Sequence, residues 1–340
     1  MRSFYYSLKN PEKSQVEPIE KFVKSHPNAN YFQSSLFFFT CECSKSVAPV
    51  YYVAHDENHA VTGVMLTFRQ VQYKLFPLNF LSARTIIWGG PLVQNNDLEV
   101  YKGLYELYQK EKSFGIYTQV RNLFDQSASF NLMGELSYTY EEHLNIIVDL
   151  EKTEEQLWSE VHSKRRNEIR RAQKEGTTVE LSNGPDTLSK CYLILKEVYQ
   201  RAKLPLPSID HFEALRQNST EEEGLRIFVA KCEGKIIGCM FCLAYGTTLF
   251  DYYAGAYQKN YDKYPNDLLP WEVFRWGKQN GFTRFDFGGA GKPGVPYGVR
   301  EYKKKFGGEI VNYGRFEKVH FPLLYGLVIR AFNLWRILKK

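Results

Sequence analysis

The order of helical and β-rich segments occurs twice along the chain, and this repetition restricts the fold more than any other feature of the sequence. In each half a helix precedes an antiparallel hairpin, a further strand, a second helix and a closing strand. The hairpin is clearest at 47–70, where two β-rich runs flank the turn-forming residues Asp56, Glu57 and Asn58. The repetition predicts an α+β protein with two tandem domains, each a mixed, mostly antiparallel sheet flanked by helices.

A change in sequence character near residue 150 indicates the domain boundary. The segment EKTEEQLWSEV opens a helix in which Thr153 is the N-cap and Gln156 its capping-box partner. We therefore expect a first domain over 1–152 and a second over 153–320. A length of 340 residues, of which 44% are hydrophobic and 24% charged, suits two packed domains rather than a disordered chain.

The stretch SKRRNEIRRAQKEG, residues 163–176, is predicted to be a helix with an excess of cations. Arg166, Arg170 and Lys174 follow at four-residue spacing and therefore share one face, and Gly176 is a typical residue just past a helix end. A solvated helix face is the simplest interpretation. Because the cations outnumber the neighbouring acids and the chain carries a net charge of +6, an anionic partner is the sharper hypothesis.

The six cysteines favour free thiols in a reducing cytosol, because the polar amino terminus MRSFYYSLKN lacks the apolar core of a secretory signal. The spacing of Cys239 and Cys242 in a predicted strand puts their sulfurs on opposite faces, which argues against a metal or dithiol site there. No metal is expected. The chain also lacks an apolar run long enough to span a bilayer.

A glycine loop, GGAGKPG, follows the predicted strand FTRFDFGG and contains the pattern GxGxxG at Gly289, Gly291 and Gly294. A dinucleotide-binding motif requires a helix to begin at its third glycine, and Pro293 and Pro296 interrupt one here. The pattern therefore predicts a tight turn. The HExxH and GxSxG motifs of metallohydrolases and serine hydrolases do not occur.

The pattern RxxIRxAxKxG in the basic helix, with FDFGGAG and REYKKKFGGEIV near the end, resembles the FemABX-type aminoacyltransferases. This family of the GNAT-like acyltransferase superfamily includes enzymes that form peptidoglycan interpeptide bridges. The resemblance covers nearly the whole chain, including IIWGGPLV and EEHLNIIVDL. It implies two GNAT-like domains and a transfer of an amino acid from aminoacyl-tRNA to a nucleotide- or lipid-linked cell-wall precursor.

The sequence departs from the family pattern at two places. The bridge-forming enzymes carry a Trp and a Lys soon after an FxQS-like segment, whereas Phe32, Gln33 and Ser34 are followed here by SLFFFTCE. An acid also tends to follow the family's Gly-Pro turn, where this chain has Gln94, with Asp97 the nearest carboxylate. These departures leave the acceptor open.

Acyl transfer to an amine requires phosphate binding, a donor for the developing oxyanion and a base. Arg166 and Arg170, followed by Lys164, match the family pattern and are the expected phosphate ligands. Lys303 and Lys305 in EYKKKFGG are equal candidates for the oxyanion donor, with a solvated helix end as the alternative.

Asp286 in FDFGG and Asp251 in FDYYAG are the candidates for the base. Carboxylates in apolar strands are costly to bury unpaired, so these two are either functional or structurally paired. Tyr253, with Gly288 and Gly289 beside Asp286, completes the set expected to contact substrate.

The junction QKNYDKYPNDLLPWEV lacks the glycine-rich loop with which a GNAT protein holds the pyrophosphate of acetyl-CoA. This favours a larger donor such as aminoacyl-tRNA, and no cofactor is expected beyond the donor substrate itself. Two alternatives stay open: an acyl-CoA-dependent N-acyltransferase of exopolysaccharide synthesis, and a non-catalytic module that binds anionic glycolipid or RNA.

The tail FPLLYGLVIRAFNLWRILKK, residues 321–340, combines apolar side chains with Arg330, Trp335 and Lys340. This composition suits either an interfacial helix on a membrane or a terminal helix packed on the first domain. We therefore expect a cytoplasmic protein. An interfacial helix would bring it into peripheral contact with the inner face of the plasma membrane.

Overall fold

A computed structural model describes residues 3–44, 46–71, 75, 77–328 and 330. The chain forms two compact units, of which the first contains the described residues up to Glu142 and from Tyr313 onward, and the second contains His143–Asn312. Each unit has its own sheet with helices packed on it, which confirms the expected α+β class with two tandem domains.

The strands of the described residues are β1 (Phe4–Leu8), β2 (Val47–His55), β3 (Val61–Gln70), β4 (Arg84–Trp88), β5 (Leu92–Val93), β6 (Tyr117–Arg121), β7 (Thr139–Glu141), β8 (Leu144–Asp149), β9 (Thr178–Leu181), β10 (Gly224–Cys232), β11 (Lys235–Tyr245), β12 (Thr248–Ala256), β13 (Arg284–Gly289), β14 (Glu309–Asn312) and β15 (Arg315–Val319). The α-helices are α1 (Lys13–Ser25), α2 (Ser35–Glu42), α3 (Leu78–Leu81), α4 (Leu98–Glu111), α5 (Phe130–Glu135), α6 (Glu154–Glu160), α7 (Ser163–Lys174), α8 (Pro185–Arg201), α9 (Ile209–Gln217), α10 (Pro265–Gln279) and α11 (Gly298–Lys304).

The sheet of the first unit has the order β1-β2-β3-β4-β6-β15-β7, with β5 paired to β3. Only β4 and β6 run parallel among its described pairs, and the predicted hairpin at 47–70 is confirmed as β2 and β3. Helix α4 packs on β2 and β3 through Tyr101, Leu104, Tyr105 and Tyr108, which are buried. This face forms the aromatic core of the unit.

The FxQS-like segment of the first unit is a buried structural junction. The side chain of Gln33 accepts a hydrogen bond from Leu66 N at 2.8 Å and donates to the carbonyl of Trp88 at 2.9 Å. Phe32 stacks on the Trp88 ring at 4.0 Å between ring centroids. The segment therefore ties the chain before α2 to strands β3 and β4.

The sheet of the second unit has the order β14-β8-β13-β12-β11-β10-β9, in which β12 and β13 are parallel. Helices α7 and α10 cover one face, where Cys242 lies in the core. Helix α8 covers the other face, where Cys239 Sγ lies 3.7 Å from the carbonyl oxygen of Cys191. The two cysteines of the CxxC pattern thus occupy opposite faces, as their spacing predicts.

The unit boundary differs from the expected one after residue 152, because β8 belongs to the second sheet. β8 pairs with both β13 and β14, and its side chains Ile146 and Val148 are buried in the second core. The change in sequence character near 150 instead marks the start of α6, where the capping box of Thr153 and Gln156 is confirmed.

The segment EIVNYGRFEKV forms two strands that belong to different sheets. β14 pairs with β8 in the second unit, whereas β15 pairs with β6 and β7 in the first. Gly314 lies between them with a φ of +67°, a conformation that glycine adopts without strain. The carboxyl-terminal strand of the first unit therefore lies after the whole of the second unit in the sequence.

The described beginning of the tail packs on the first unit. The Phe321 ring lies 5.5 Å from that of Phe80, and the Tyr325 ring lies 5.3 Å from that of Tyr117, between centroids. Leu323 and Leu327 are 89% and 62% exposed. Residues 329 and 331–340 of the helix expected over 321–340 lie outside the described residues.

No helix in the described part of the chain is both long and apolar enough to cross a bilayer.

Gly308 lets the chain enter β14 against β8, which gives a test of this packing. Its φ is +85°, and a Cβ there would lie 2.5 Å from the backbone oxygen of Ile147. Gly281 has a similar φ of +79° but faces open space. We expect Gly281→Ala to lower the free energy of unfolding by about 1–2 kcal/mol through backbone strain alone. Gly308→Ala should cost about 1–3 kcal/mol more, because the strand must move. Chemical denaturation of both variants measures the difference, and equal losses would contradict the close approach.

Candidate active site

Strands β12 and β13 separate part way along their length, and this opening is the centre of the candidate site. They pair only from Thr248 and Arg284 to Phe250 and Asp286. Beyond that pair β12 continues to Ala256 and β13 to Gly289 without further pairing to each other. On its other edge β12 has a bulge against β11, so that Tyr252 is an extra residue between Asp251 and Tyr253. The bulge bends β12 where the two strands part.

Asp286 lies at the last paired position and is buried. Its Oδ1 accepts hydrogen bonds from Gly288 N at 2.7 Å and from Asn145 Nδ2 at 3.3 Å. Burial raises the pKa of Asp286, while the charge of Arg284 and these hydrogen bonds oppose the increase. The structural pairing that the sequence left open is therefore present, and it fixes the carboxylate at the opening.

Asp251 lies on β12, one residue past the last paired position, and is half-buried. Burial raises its pKa to about 6, with the Lys303 charge acting in the opposite direction and Asp286 adding to the increase. At pH 7 such a carboxylate is mostly ionised yet holds a proton more strongly than an exposed one. This pKa suits a group that accepts a proton during a reaction.

Lys303 on α11 completes the cluster. Its Nζ donates hydrogen bonds to the carbonyl oxygens of Phe287 and of Gly289, the latter at 3.3 Å. Burial lowers the pKa of Lys303, and the negative charges of Asp251 and Asp286 counteract this. The structure thus brings together Asp251, Asp286 and Lys303, which we call the carboxylate–lysine centre.

The two lysines that the sequence could not separate differ in position. Lys303 joins the carboxylate–lysine centre, whereas Lys305 follows the last residue of α11 and its carbonyl oxygen accepts a hydrogen bond from His162 N at 2.9 Å. Lys305 thereby connects the end of α11 with the start of α7. The geometry favours Lys303 as the residue facing substrate.

Gly288 and Gly289 lie where β13 leaves its pairing with β12. Gly288 has a φ of +67°, and a Cβ there would lie 3.0 Å from the Phe250 ring. Gly289 supplies one of the carbonyls that hold Lys303. Both glycines therefore shape the carboxylate–lysine centre through their backbone, and direct contact with substrate stays a prediction.

An aromatic wall lies on the α8–α9 side of β12. The Tyr253 ring lies 5.3 Å from that of Tyr199 and 5.2 Å from that of Phe212, between centroids. The hydroxyl of Tyr252 lies 2.9 Å from His211 Nε2. Burial lowers the pKa of His211 to about 4, so this imidazole is neutral at pH 7. The ring contacts of Tyr253 and its place on β12 after the bulge put it beside the opening.

The glycine loop between β13 and α11 is held by Arg300. Its Nη1 donates to the carbonyls of Lys292 at 2.7 Å and Ala290 at 3.3 Å, and its Nη2 donates to the carbonyl of Val295. Helix α11 begins at Gly298 rather than at the third glycine of GxGxxG. The predicted tight turn is confirmed, and Arg300 is a positioning residue that sequence reasoning missed.

Arg165 anchors the basic helix α7 in the second unit. Its guanidinium forms ion pairs with Asp267 on α10 and with Glu168 on α7, the latter at 3.0 Å. It also lies over the rings of Tyr302 and Phe306, at 5.0 and 5.2 Å from their centroids. Ion pairs and ring contacts together therefore hold Arg165 in the second unit.

The three expected phosphate ligands lie on α7 in different surroundings. Arg166 Nη1 donates to the carbonyls of Val161 at 2.9 Å, Ser159 at 3.0 Å and Trp158 at 3.2 Å, and so caps the end of α6. Arg170 is exposed and lies over the Trp158 ring at 5.3 Å. Lys164 is exposed. The role of all three in phosphate binding stays a prediction, and Arg166 has a structural role that its helical spacing could not show.

Asn145, Asp267 and Arg300 are the residues that the sequence did not reveal. Each acts on a partner far away in the chain or on backbone carbonyls, and no local pattern marks such contacts. The only signal was the presence of a polar residue in an apolar segment, as in LNIIVD for Asn145.

Known proteins resemble this chain in sequence and in fold. Residues 163–304 match the acetyltransferase (GNAT) domain family. A UDP-N-acetylmuramoylpentapeptide-lysine N(6)-alanyltransferase of Weissella viridescens is 24% identical over 64% of this chain, and the match spans 62% of that protein's length. A lipid II:glycine glycyltransferase of Staphylococcus epidermidis is 22% identical over 91% of this chain and 92% of its own. A crystal structure of FemX superposes with a TM-score of 0.74 at 16% identity, covering 96% of this chain and 99% of that one.

The matched domain and the superposition define the class of fold: residues 163–304 match a GNAT domain, and the chain has a GNAT-like fold. Within that class, its relatives are an alanyltransferase and a glycyltransferase, and its fold is that of FemX. The resemblance to the FemABX-type aminoacyltransferases, inferred from the basic helix and the FDFGGAG segment, is therefore confirmed.

The Arg165 ion pairs predict a large effect on stability. Arg165→Met leaves the Asp267 carboxylate buried without its partner, so we expect a loss of about 3–5 kcal/mol in the free energy of unfolding. Lys174→Met removes an exposed cation of the same helix and should change stability by less than about 0.5 kcal/mol. Urea denaturation of both variants provides the measurement, and similar values for the two would rule out a buried ion pair.

The pKa of Asp251 predicts how stability depends on pH. Because the folded state raises this pKa to about 6, it binds a proton more strongly than the unfolded state. The resulting stabilisation is complete below about pH 4 and is lost as pH rises through about 6, by up to about 3 kcal/mol. Asp251→Asn should remove this loss, whereas Asp210→Asn, which changes an exposed carboxylate, should retain it. Unfolding measured from pH 4 to pH 7 tests the difference, and parallel curves for wild type and Asp251→Asn would contradict the raised pKa.

Proposed function

We propose that this protein is an aminoacyltransferase that forms an amide bond on a peptidoglycan-type precursor. The observation that carries the proposal is the carboxylate–lysine centre at the opening between β12 and β13 of a GNAT-type unit. The donor is aminoacyl-tRNA, and the acceptor is the side-chain amine of a peptide on a nucleotide- or lipid-linked precursor. The names of the alanyltransferase and glycyltransferase relatives support this acceptor class.

The centre meets the demands of the reaction. A lysine-type amine must lose a proton before it attacks, which costs roughly 4–5 kcal/mol at pH 7 without a base. Asp251 accepts that proton, and Asp286, held by Gly288 N and Asn145, keeps the proton affinity of its neighbour high. The C–N bond forms and the ester C–O bond to the tRNA ribose breaks. Of the two protons that the ammonium nitrogen loses, one passes through Asp251 to the leaving ribose oxygen and the other passes to solvent.

Lys303 stabilises the oxyanion that develops on the carbonyl oxygen of the ester. The carbonyls of Phe287 and Gly289 hold its ammonium in place before the reaction, so little reorganisation is needed when charge develops. Lys303 therefore acts as the electrostatic donor, and Asp251 as the base.

The amino-terminal end of α10 supports tRNA over CoA as the donor. A pyrophosphate favours a helix amino terminus with free N–H groups and no nearby negative charge. Here the first turn of α10 carries the buried carboxylate of Asp267, and Pro265 supplies no N–H. Asp267 is already paired with Arg165, so an anion at this end would disturb the buried ion pair.

The acceptor is proposed to reach the protein at the inner face of the plasma membrane, in the cytoplasm. Leu323 and Leu327 expose apolar surface next to the ring contacts of Phe321 and Tyr325 with the first unit. The sequence from 321 onward contains four cations and no acid. Apolar and cationic groups together suit peripheral contact with anionic lipid.

A transfer assay tests the proposal. Purified protein is incubated with a panel of aminoacyl-tRNAs and with nucleotide- and lipid-linked muropeptide precursors, and the extended peptide is detected by mass. Lys303→Met should lower kcat about 100-fold or more, because one preorganised oxyanion donor is lost. Lys304→Met, which changes the exposed neighbour, should leave kcat within about twofold.

The outcome also separates the alternatives. Transfer from acyl-CoA to a sugar amine, with none from aminoacyl-tRNA, would replace the proposal by an exopolysaccharide N-acyltransferase. Absence of transfer with every donor, while anionic glycolipid or RNA still binds, would identify a non-catalytic module.

A further inference from the structure

A surface of the second unit alternates cationic and aromatic side chains. It lies where α8 ends and where the 3-10 turn Gln258–Lys263 follows β12. The Arg201 guanidinium lies 5.9 Å from the Tyr261 ring centroid and donates to the Tyr261 hydroxyl at 2.8 Å. Lys259 Nζ lies 5.3 Å from the centroid of the Tyr257 ring. We call Arg201, Tyr257, Lys259 and Tyr261 the tyrosine–cation surface.

These side chains are accessible. Tyr261 is 43% exposed, and Arg201 and Lys259 are exposed as well. The pattern extends to Arg171, which donates to the Tyr264 hydroxyl at 3.3 Å. In the segments 171–175, 197–203 and 257–263, which carry or adjoin these contacts, cations exceed carboxylates; they are Arg171, Lys174, Arg201, Lys203, Lys259 and Lys263, against Glu175, Glu197 and Asp262.

This combination fits RNA better than other anionic partners. Cations bind the phosphates of a nucleic acid, and exposed rings stack on its bases or riboses without a strict sequence requirement. An anionic membrane needs the positive charge but gives the tyrosine rings no stacking partner. The interspersed carboxylates also lower the net charge, so charge alone does not account for the surface.

The tyrosine–cation surface is connected to the carboxylate–lysine centre within the same unit. Tyr257 follows Asp251 by six residues along β12 and the turn after it, a distance of about 20 Å at an extended rise. Tyr199, two residues before Arg201 on α8, places its ring 5.3 Å from that of Tyr253 beside the opening. Tyr199 and Tyr253 therefore lie beside the opening, on the helix and the strand whose carboxyl-terminal ends lead into the surface.

From this arrangement we propose that the tyrosine–cation surface docks the RNA of the donor. The acceptor end of the aminoacyl-tRNA lies on Arg201, Lys259 and Tyr261, and the aminoacylated 3′ end extends along Tyr199 and Tyr253 to the carboxylate–lysine centre. The identification of this RNA as the donor tRNA rests on the proposed function, whereas the binding of RNA to the surface does not.

Binding of a fluorescent RNA hairpin with an unpaired 3′ end to the full chain, measured by anisotropy at several salt concentrations, tests the surface. Lys259→Ala and Arg201→Ala should each weaken binding and reduce the log–log salt slope by about 0.7–0.9, the effect of one lost phosphate contact. Tyr261→Ala should weaken binding about tenfold with an unchanged slope, since stacking releases no counterions. Tyr261→Phe keeps the ring and should bind nearly as wild type.

Lys190→Ala is the matched control, because Lys190 is an exposed cation at the other end of α8, paired with Asp186. It should leave affinity and slope unchanged. The surface assignment is overturned if the Arg201, Lys259 and Tyr261 variants bind RNA as the control does. It is also overturned if vesicles containing anionic phospholipid displace the RNA and show the same dependence on Tyr261.

Kinetics distinguish failure of this inference from failure of the proposed function. With charged tRNA as donor, Tyr261→Ala should raise the KM for tRNA and leave kcat unchanged. Normal transfer with an unchanged KM in this variant would reject the docking surface while the aminoacyltransferase proposal holds. Localised RNA binding without transfer from any aminoacyl-tRNA would keep the RNA surface and reject the function.

Discussion

The ion pairs of Arg165 are the constraint on which the arrangement of the second unit depends. A buried guanidinium is costly unless its charge is matched, and here Asp267 and Glu168 provide the match while Tyr302 and Phe306 cover its faces. These partners come from α7, α10 and the α11 region. Because Tyr302 precedes Lys303, the contact that orients α7 also fixes the lysine at the opening between β12 and β13.

The same opening brings opposing electrostatic demands into one place. Burial favours the neutral forms of Asp251, Asp286 and Lys303, while the attraction between Lys303 and each carboxylate favours the charged forms. Backbone groups settle the balance, since Gly288 N bonds to Asp286 and the carbonyls of Phe287 and Gly289 bond to Lys303. Partly buried charges with perturbed pKa values, held by rigid strands, are typical of a reaction centre.

Much of the local structure could be predicted from the sequence, because local chemistry decides it. The capping box at Thr153, the hairpin at 47–70 and the positive φ of Gly176 each follow from a few neighbouring residues. Arg166 shows the limit of such reasoning. Its spacing on α7 placed it correctly on a helix face, yet only the fold shows that its Nη1 caps the end of α6.

The class of fold, the reactive residue types and the resemblance to Fem-type transferases follow from the sequence alone, since these depend on periodicity and short motifs. The choice between Lys303 and Lys305, the proximity of Asp251 to Asp286 and the membership of β8 in the second sheet required the three-dimensional structure. Strand pairing and burial involve residues far apart in the chain. Which strands separate, and which charges then face each other, depends on contacts that no local pattern encodes.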